Sequence, residues 1–245
     1  MIEIKNLHKH FGNNHVLRGV NLEIETGETI VIIGRSGCGK SVLIKHIVGL
    51  LIPDEGQIKV EGKIINQLSK EEIYELRKRF GFLFQGAALF DSMTVGENVA
   101  LALVESKNKI PAAEIEKRVD EKLELVGLPE AKNLKPSELS GGMKKRVGLA
   151  RALITDPDYI FYDEPTTGLD PIMSDSIDKL IKELTEKLKV TSVVVTHDMY
   201  SVKNVAHNVA MMHDGKIYFT GSPSELTNSD DPVIQDFIRR TEVRI

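Results

Sequence analysis

Ile2-Glu3-Ile4-Lys5 and Val20-Asn21-Leu22-Glu23-Ile24 alternate apolar and polar residues with period two. Each segment therefore has one apolar and one wet face, and the two are expected as antiparallel strands. Thr26-Gly27 reads as a turn, and Thr29 to Ile33 is a continuous β-branched run. A run without a polar face predicts a central parallel strand buried on both sides. A glycine-rich loop and a helix from Ser41 to Leu51 follow, and then Ile58-Lys59-Val60 and Lys63-Ile64-Ile65 flank Glu61-Gly62, a hairpin signal. From about Gly86 to Pro157 the pattern turns helical: Ile115, Val119 and Leu123 recur every four residues, with Gly127 as the expected C-cap. Tyr159 to Tyr162 is again a buried strand. Asp170 as N-cap and Pro171 at the first helical position then open a helix that turns Ile177, Leu180, Ile181, Leu184 and Leu188 inward. Val190 to Thr196 is a further buried strand, and Val209 to Met212 and Lys216 to Thr220 flank Asp214-Gly215, a second hairpin signal. After Ser222 the chain is polar until Pro232 opens a short amphipathic helix carrying Val233, Ile234, Phe237 and Ile238 before a charged end; whether it docks on this chain or on a partner stays open. Strand and helix alternate, so the fold class is α/β.

Hydrophobic residues make up 41% and charged residues 28% of the 245 positions, an ordinary globular composition. The balance of 32 basic against 36 acidic side chains, a net charge of −4, argues against a nucleic-acid partner. A single cysteine, Cys38, and the lack of a charged-then-apolar leader point to a reducing, cytoplasmic setting. A membrane span needs about 20 mainly apolar residues. Thr29 to Gly34 is too short, and Val42 to Ile52 carries Lys45 and His46. Any membrane role is therefore expected to be peripheral.

Gly34-Arg35-Ser36-Gly37-Cys38-Gly39-Lys40-Ser41 fits the phosphate-binding loop pattern between a strand and a helix. The glycines let backbone N–H groups converge on phosphate oxygens at a helix N-terminus, Lys40 adds a mobile positive charge, and Ser41 offers a hydroxyl to Mg²⁺. Cys38 needs only to be small. Asp163-Glu164 ends an apolar strand; adjacent acids there repel unless a cation is near, so a metal ligand and a general base are expected, against the alternative of a solvent-facing sheet edge. Ser140-Gly141-Gly142 opens a helix where amides meet an anion, or is only a capped turn. Lys144-Lys145-Arg146 reads as a solvated face. Phe11 by itself reads equally well as core, and His197 as a structural histidine.

Taken in order, these motifs resemble the ATP-binding cassette (ABC) transporter ATPases over essentially the whole chain. The phosphate loop is Gly34 to Ser41, the Q-loop glutamine Gln85, the signature Ser140-Gly141-Gly142, the acidic pair Asp163-Glu164, the D-loop Gly168-Leu169-Asp170 and the switch histidine His197. The resemblance implies a P-loop NTPase (RecA-like) core with an antiparallel β-subdomain (1–85 and 158–221), an inserted helical subdomain (86–157) and a C-terminal tail (222–245). It implies ATP and Mg²⁺ as ligands. Glu164, His197, Gln85 and Lys40 would be catalytic. Phe11, Gly34, Ser36, Gly37, Cys38, Gly39, Lys40, Ser41, Val42, Ser140, Gly142 and Asp170 would hold nucleotide, and Ser41, Gln85 and Asp163 the metal. It also implies a head-to-tail homodimer in which ATP on one loop is covered by Ser140 and Gly142 of the other subunit, with His197 sensing the γ-phosphate. Two positions depart from the family pattern: Met143 stands where Gln is usual, and Val42 where a hydroxyl residue is common.

The stretch Phe82 to Val99, together with Met143, is similar to ATPases of the maintenance-of-lipid-asymmetry and Mce-type lipid transport systems. That similarity implies integral membrane permease subunits, an Mce-domain lipid-binding protein, and a place on the cytoplasmic face of the cell membrane. Ala87 to Phe90 is apolar enough for either a docking groove or helical core. The alternatives are an ABC ATPase for another solute, one acting in DNA repair or translation, and a monomeric P-loop kinase or GTPase.

Overall fold

The computed structural model describes residues 1–106 and 109–242, so the final three residues of the expected tail lie outside the described residues. Two sheets organise the chain. The first is antiparallel and runs β2-β1-β4-β5, formed by β1 (Ile2–Phe11), β2 (Asn14–Ile24), β4 (Glu55–Val60) and β5 (Lys63–Ile64). The second has six strands and contains β3 (Thr29–Gly34), β6 (Phe80–Leu83), β7 (Tyr159–Asp163), β8 (Thr191–Val195), β9 (Asn208–His213) and β10 (Lys216–Gly221). Its order is β10-β9-β3-β8-β7-β6, parallel throughout except for the β9–β10 hairpin.

Every residue of β3, β7 and β8 is buried, as the apolar runs Ile30 to Ile33, Tyr159 to Tyr162 and Val193 to Val195 within them demand. Alternate side chains divide between two cores. Val31, Ile33, Ile160, Tyr162 and Val194 face one core, and Ile30, Ile32, Tyr159, Phe161, Val193 and Val195 face the other. The first core is closed by helices α3 (Val95–Val104), α4 (Ala112–Leu125), α5 (Gly141–Leu153), α6 (Pro171–Leu188) and α7 (Met199–Val205). The second lies under the antiparallel sheet and α1 (Lys40–Ile47). Both hairpins expected from the sequence turn through consecutive left-handed residues, Glu61-Gly62 and Asp214-Gly215, the geometry that matches strand twist.

α1 stops at Ile47 rather than running to Leu51. Gly49 enters the left-handed region at φ 69°, its N–H reaches the His46 carbonyl at 3.0 Å and the Leu50 N–H reaches Lys45 at 2.8 Å. These two bonds satisfy the end carbonyls and terminate the helix. The same pair of bonds ends α4 at Gly127, as the sequence predicts. Two helices without a strong periodic signal also form, α2 (Lys70–Lys78) and α8 (Pro223–Thr227). The tail helix α9 (Pro232–Glu242) packs on this chain, touching α7 and α8 and burying Ile234, Phe237 and Ile238.

Asp178, on α6, is buried and faces Ser201 and Asn204 on α7. Burial, helped by the nearby carboxylates of Asp198 and Asp175, pushes its pKa up to about 7. The native state therefore holds a proton that the unfolded chain releases near pH 4, and stability falls as pH rises from there to about 7. Asp178→Asn removes this titration. Its melting temperature is expected to exceed the native value by about 5 °C at pH 8, the gain narrowing toward pH 4, because an amide avoids the charge but keeps part of the polar burial cost. Thermal melts across that range test this, and a pH-independent difference would contradict it.

Candidate nucleotide site

The carboxyl ends of four parallel strands meet at one edge of the larger sheet. β3 delivers the glycine-rich loop, β6 leads to Gln85, β7 ends in Asp163 before Glu164, and β8 leads to His197. Ligands of open parallel sheets bind at such edges.

Two glycines of the loop have specific steric reasons. A Cβ on Gly34 would lie 2.7 Å from Cys38 Sγ, and one on Gly39 2.9 Å from Leu17 Cδ2. Gly39 is also the N-cap of α1 at φ 107°, and no side chain caps that helix. The first-turn amides thus present a positive, uncapped end, the geometry that receives a phosphate. Lys40 is 7% exposed; its Nζ donates to the carbonyls of Gly34 at 2.8 Å and Arg35 at 3.3 Å. Burial pushes the Cys38 thiol up, so it stays protonated beside the loop.

The acidic pair is not a solvated sheet edge. Asp163 is 9% exposed and its Oδ1 accepts from Ser41 Oγ at 2.8 Å. Glu164 adopts φ 50°, unusual for a side-chain-bearing residue, and its N–H donates to the Val195 carbonyl at 2.9 Å. That turn aims its carboxylate across the strand ends. Its Oε2 accepts from His197 Nδ1 at 2.8 Å and Thr167 Oγ1 at 3.0 Å, while Oε1 lies 3.9 Å from Lys40 Nζ. The Ser41–Asp163 pair offers two hard oxygens at the loop mouth. No group of three or more His, Cys, Asp or Glu side chains converges on a metal position among the described residues. A Mg²⁺ ion suits this donor set, since it binds through one or two protein oxygens and completes its shell with phosphate and water.

A cleft of about 750 Å³ joins these parts. Ser36, Gly37, Gly39, Lys40, Ser41 and Val42 line it together with Gln85, Glu164 and His197. Arg35, Val16, Thr167 and three residues of α9 (Phe237, Arg240 and Thr241) complete the wall. Arg35 also ion-pairs with Asp236 of α9. The sequence reading places neither Thr167 nor any α9 residue in the site; Phe237 figures there only as an apolar residue of the tail helix.

Seven expected residues lie outside that lining: Gly34 and Cys38 of the loop and Asp163 at the end of β7, which adjoin it in the chain, and Phe11, Ser140, Gly142 and Asp170. Phe11 is 47% exposed beside the β1–β2 turn, which removes its reading as core. Ser140 caps α5, its Oγ accepting from the Met143 N–H at 3.3 Å, and Asp170 caps α6. Gly142 packs so closely on Met173 of α6 that a Cβ would run into its terminal methyl, and a Cβ on Gly141 would sit 3.2 Å from Leu169. The starts of α5 and α6 therefore form one packed surface outside the chain's own cleft.

Within the charged triplet of α5, Lys145 and Arg146 are tied to the protein rather than solvated. Lys145 is 5% exposed, and its ammonium donates to the carbonyls of Gln85 and, at 3.1 Å, Glu164. Burial lowers its pKa, while Glu164 and Asp163 pull it back up. Arg146 donates to the Val126 carbonyl and Ser176 Oγ, both at 2.6 Å. The packing of α5 on β6 turns this stretch inward. The apolar segment after Gln85 divides: Ala87 is core, while Phe90 is exposed at 50%, as is Phe84, just before Gln85, at 36%. Asn98, fully buried, fixes this segment through the Phe90 N–H at 2.8 Å and carbonyl at 3.1 Å.

Comparison with known proteins adds four likenesses. The sequence profile described as ABC transporter matches residues 17–167. The chain is 43% identical over 239 residues to the intermembrane phospholipid transport system ATP-binding protein MlaF of Haemophilus influenzae, covering 98% of this chain and 90% of that one. It is 42% identical over 237 residues to the probable ribonucleotide transport ATP-binding protein mkl of Mycobacterium leprae, covering 97% of this chain and 68%, about two thirds, of the relative. Among solved structures, it is similar to the dimeric ATP-binding cassette MJ0796 in a post-hydrolysis state bound to ADP and Pi. There the TM-score is 0.82 and the identity 35%, with 91% of this chain and 99% of that one covered.

Proposed function

The chain belongs to the ABC transporter family, and from that premise we propose that it is the ATP-hydrolysing subunit of an envelope phospholipid transporter. The observation that carries the ATPase reading is Glu164, whose carboxylate joins Lys40, Thr167 and His197 at the mouth of an uncapped helix start. ATP is the substrate. Its phosphates lie on the loop amides from Ser36 to Val42, and Lys40 exchanges its two carbonyl partners for phosphate oxygens. Ser41, Asp163 and Gln85 would hold Mg²⁺, which when bound neutralises charge on the phosphates. Glu164 takes the proton of the attacking water, and His197 holds Glu164 in place and contacts the γ-phosphate.

The wall opposite the loop comes from a second copy. Ser140 and Gly142 of the partner subunit cover the nucleotide, Asp170 borders the same joint, and Phe11 stacks on the adenine. Because Ser140 and Gly142 lie outside their own chain's cleft, a mixture of Ser140→Arg and Lys40→Ala chains is expected to recover hydrolysis that neither variant shows alone, through one intact composite site per heterodimer. Steady-state assays of the mixture test this, and no recovery in mixtures verified as dimeric would contradict the shared site.

No helix among the described residues is long and apolar enough to cross a membrane. In this reading separate permease subunits span the bilayer, the ATPase dimer sits against them on the cytoplasmic face, and an Mce-domain protein accompanies the complex. The phospholipid assignment rests on the Phe82 to Val99 segment, its exposed Phe84 and Phe90, Met143, and the likeness to MlaF. The comparable identity to mkl supports a second reading, a transporter ATPase for another solute. Isolating the chain from gently solubilised native membranes and identifying its companions by mass spectrometry separates the two. A multi-span permease, an Mce-domain protein and phospholipid are expected, whereas a solute-binding protein without lipid would move the substrate to the second reading.

A further inference from the structure

We propose that Lys145 is a positioning residue that locks the Gln85 loop to the backbone of Glu164, so that the proposed base is aligned only when that loop and α5 are seated. The proposal rests on the ATPase reading above. Lys145 reaches inward from α5, and its ammonium donates to two main-chain carbonyls, one at the end of each of two neighbouring strands: Gln85 after β6 and Glu164 after β7. A buried ammonium is costly unless its donors are satisfied, and an apolar side chain of like volume would fill the space at lower cost. What the ammonium adds is the tie between the two carbonyls.

Both tied segments are strained enough to need it. Glu164 sits at φ 50°, and Ala87 and Ala88, just beyond Gln85, sit at φ 58° and 49°. Left-handed conformations at residues other than glycine persist only where surrounding contacts impose them. The same helix bonds to both, beside the Val195 carbonyl that holds the Glu164 N–H. Arg151 donates to the carbonyls of Ala87 and Ala88, each at 2.7 Å. Between the two basic residues lies Gly148, where a Cβ would come within 2.8 Å of Leu83 and 3.2 Å of Ala87, so the helix seats directly against the loop. Lys145, Gly148 and Arg151 form the inner edge of α5, whose first residue follows Ser140. Displacement of the Gln85 loop or of α5 is thereby passed to the Glu164 backbone without a contact between Lys145 and ATP.

The test is steady-state hydrolysis of Mg²⁺-ATP by the purified full chain, comparing wild type with Lys145→Met and Lys145→Arg and normalising turnover to nucleotide-binding stoichiometry. Misplacing a catalytic group by about 1 Å costs up to about 10²-fold, so Lys145→Met is expected to lower kcat by about 10- to 100-fold with KM for ATP nearly unchanged. Lys145→Arg, which keeps the charge and several donors, is expected to recover most of the loss. Unchanged kcat in Lys145→Met, or kcat and KM changed in proportion with no recovery by Lys145→Arg, would overturn the proposal. Should Lys145→Met lack a cooperative melt, Lys145→Gln, which retains two N–H donors, decides by the same kcat-against-KM comparison. An inactive wild-type chain would instead remove the ATPase reading, while an active one with unaltered Lys145→Met turnover removes this proposal alone.

Discussion

Glu164→Gln is expected to slow ATP hydrolysis by about 10²-fold or more while leaving ATP affinity intact. The amide is nearly isosteric, so it keeps partners for Thr167 and His197, whose bonds to the carboxylate are 3.0 and 2.8 Å. It cannot take a proton from water. It also removes a negative charge 3.9 Å from the Lys40 ammonium, in the cleft where phosphates are to lie, which favours nucleotide binding rather than opposing it. Single-turnover hydrolysis alongside equilibrium binding separates the two effects. Turnover near the wild-type rate would take Glu164 out of the role of base.

Lys40→Ala acts on the other half of the site. Hydrogen bonds to charged groups contribute about 1.5–3 kcal/mol each, so loss of the ammonium is expected to weaken ATP binding by about 10- to 100-fold. The same substitution leaves the carbonyls of Gly34 and Arg35 without the donor that holds them, so a modest loss of thermal stability accompanies it. Isothermal calorimetry on folded variant protein gives the affinity, and an unchanged value would contradict the phosphate-loop assignment.

Local signals made much of this legible in the sequence. β3, β7 and β8 stand out because burial on both faces gives them apolar runs without polar alternation, Ile30 to Ile33, Tyr159 to Tyr162 and Val193 to Val195, and the phosphate loop because its chemistry is carried by eight consecutive residues. Hairpins and the start of α6 follow from turn and cap residues whose effect reaches only a few positions. What escaped depends on packing between distant segments. The Lys144-Lys145-Arg146 triplet carries the usual composition of a wet helix face, and only the seating of α5 against β6 turns Lys145 toward two carbonyls. Thr167 is one hydroxyl among many until the backbone turn at Glu164 brings it to the carboxylate. The α9 residues enter the cleft wall from the far end of the chain. Two helices were readable and missed: the Ser69–Glu72 and Ser222–Glu225 capping boxes that open α2 and α8 are both visible as Ser-x-x-Glu.

The most direct measurement is phospholipid movement by the complex purified from native membranes and rebuilt in vesicles carrying a labelled phospholipid, with wild-type or Glu164→Gln ATPase. The expected result is lipid transfer that requires ATP and is lost with Glu164→Gln. ATP hydrolysis by the wild-type complex without any ATP-dependent movement of lipid would contradict the assignment as the motor of a phospholipid transporter.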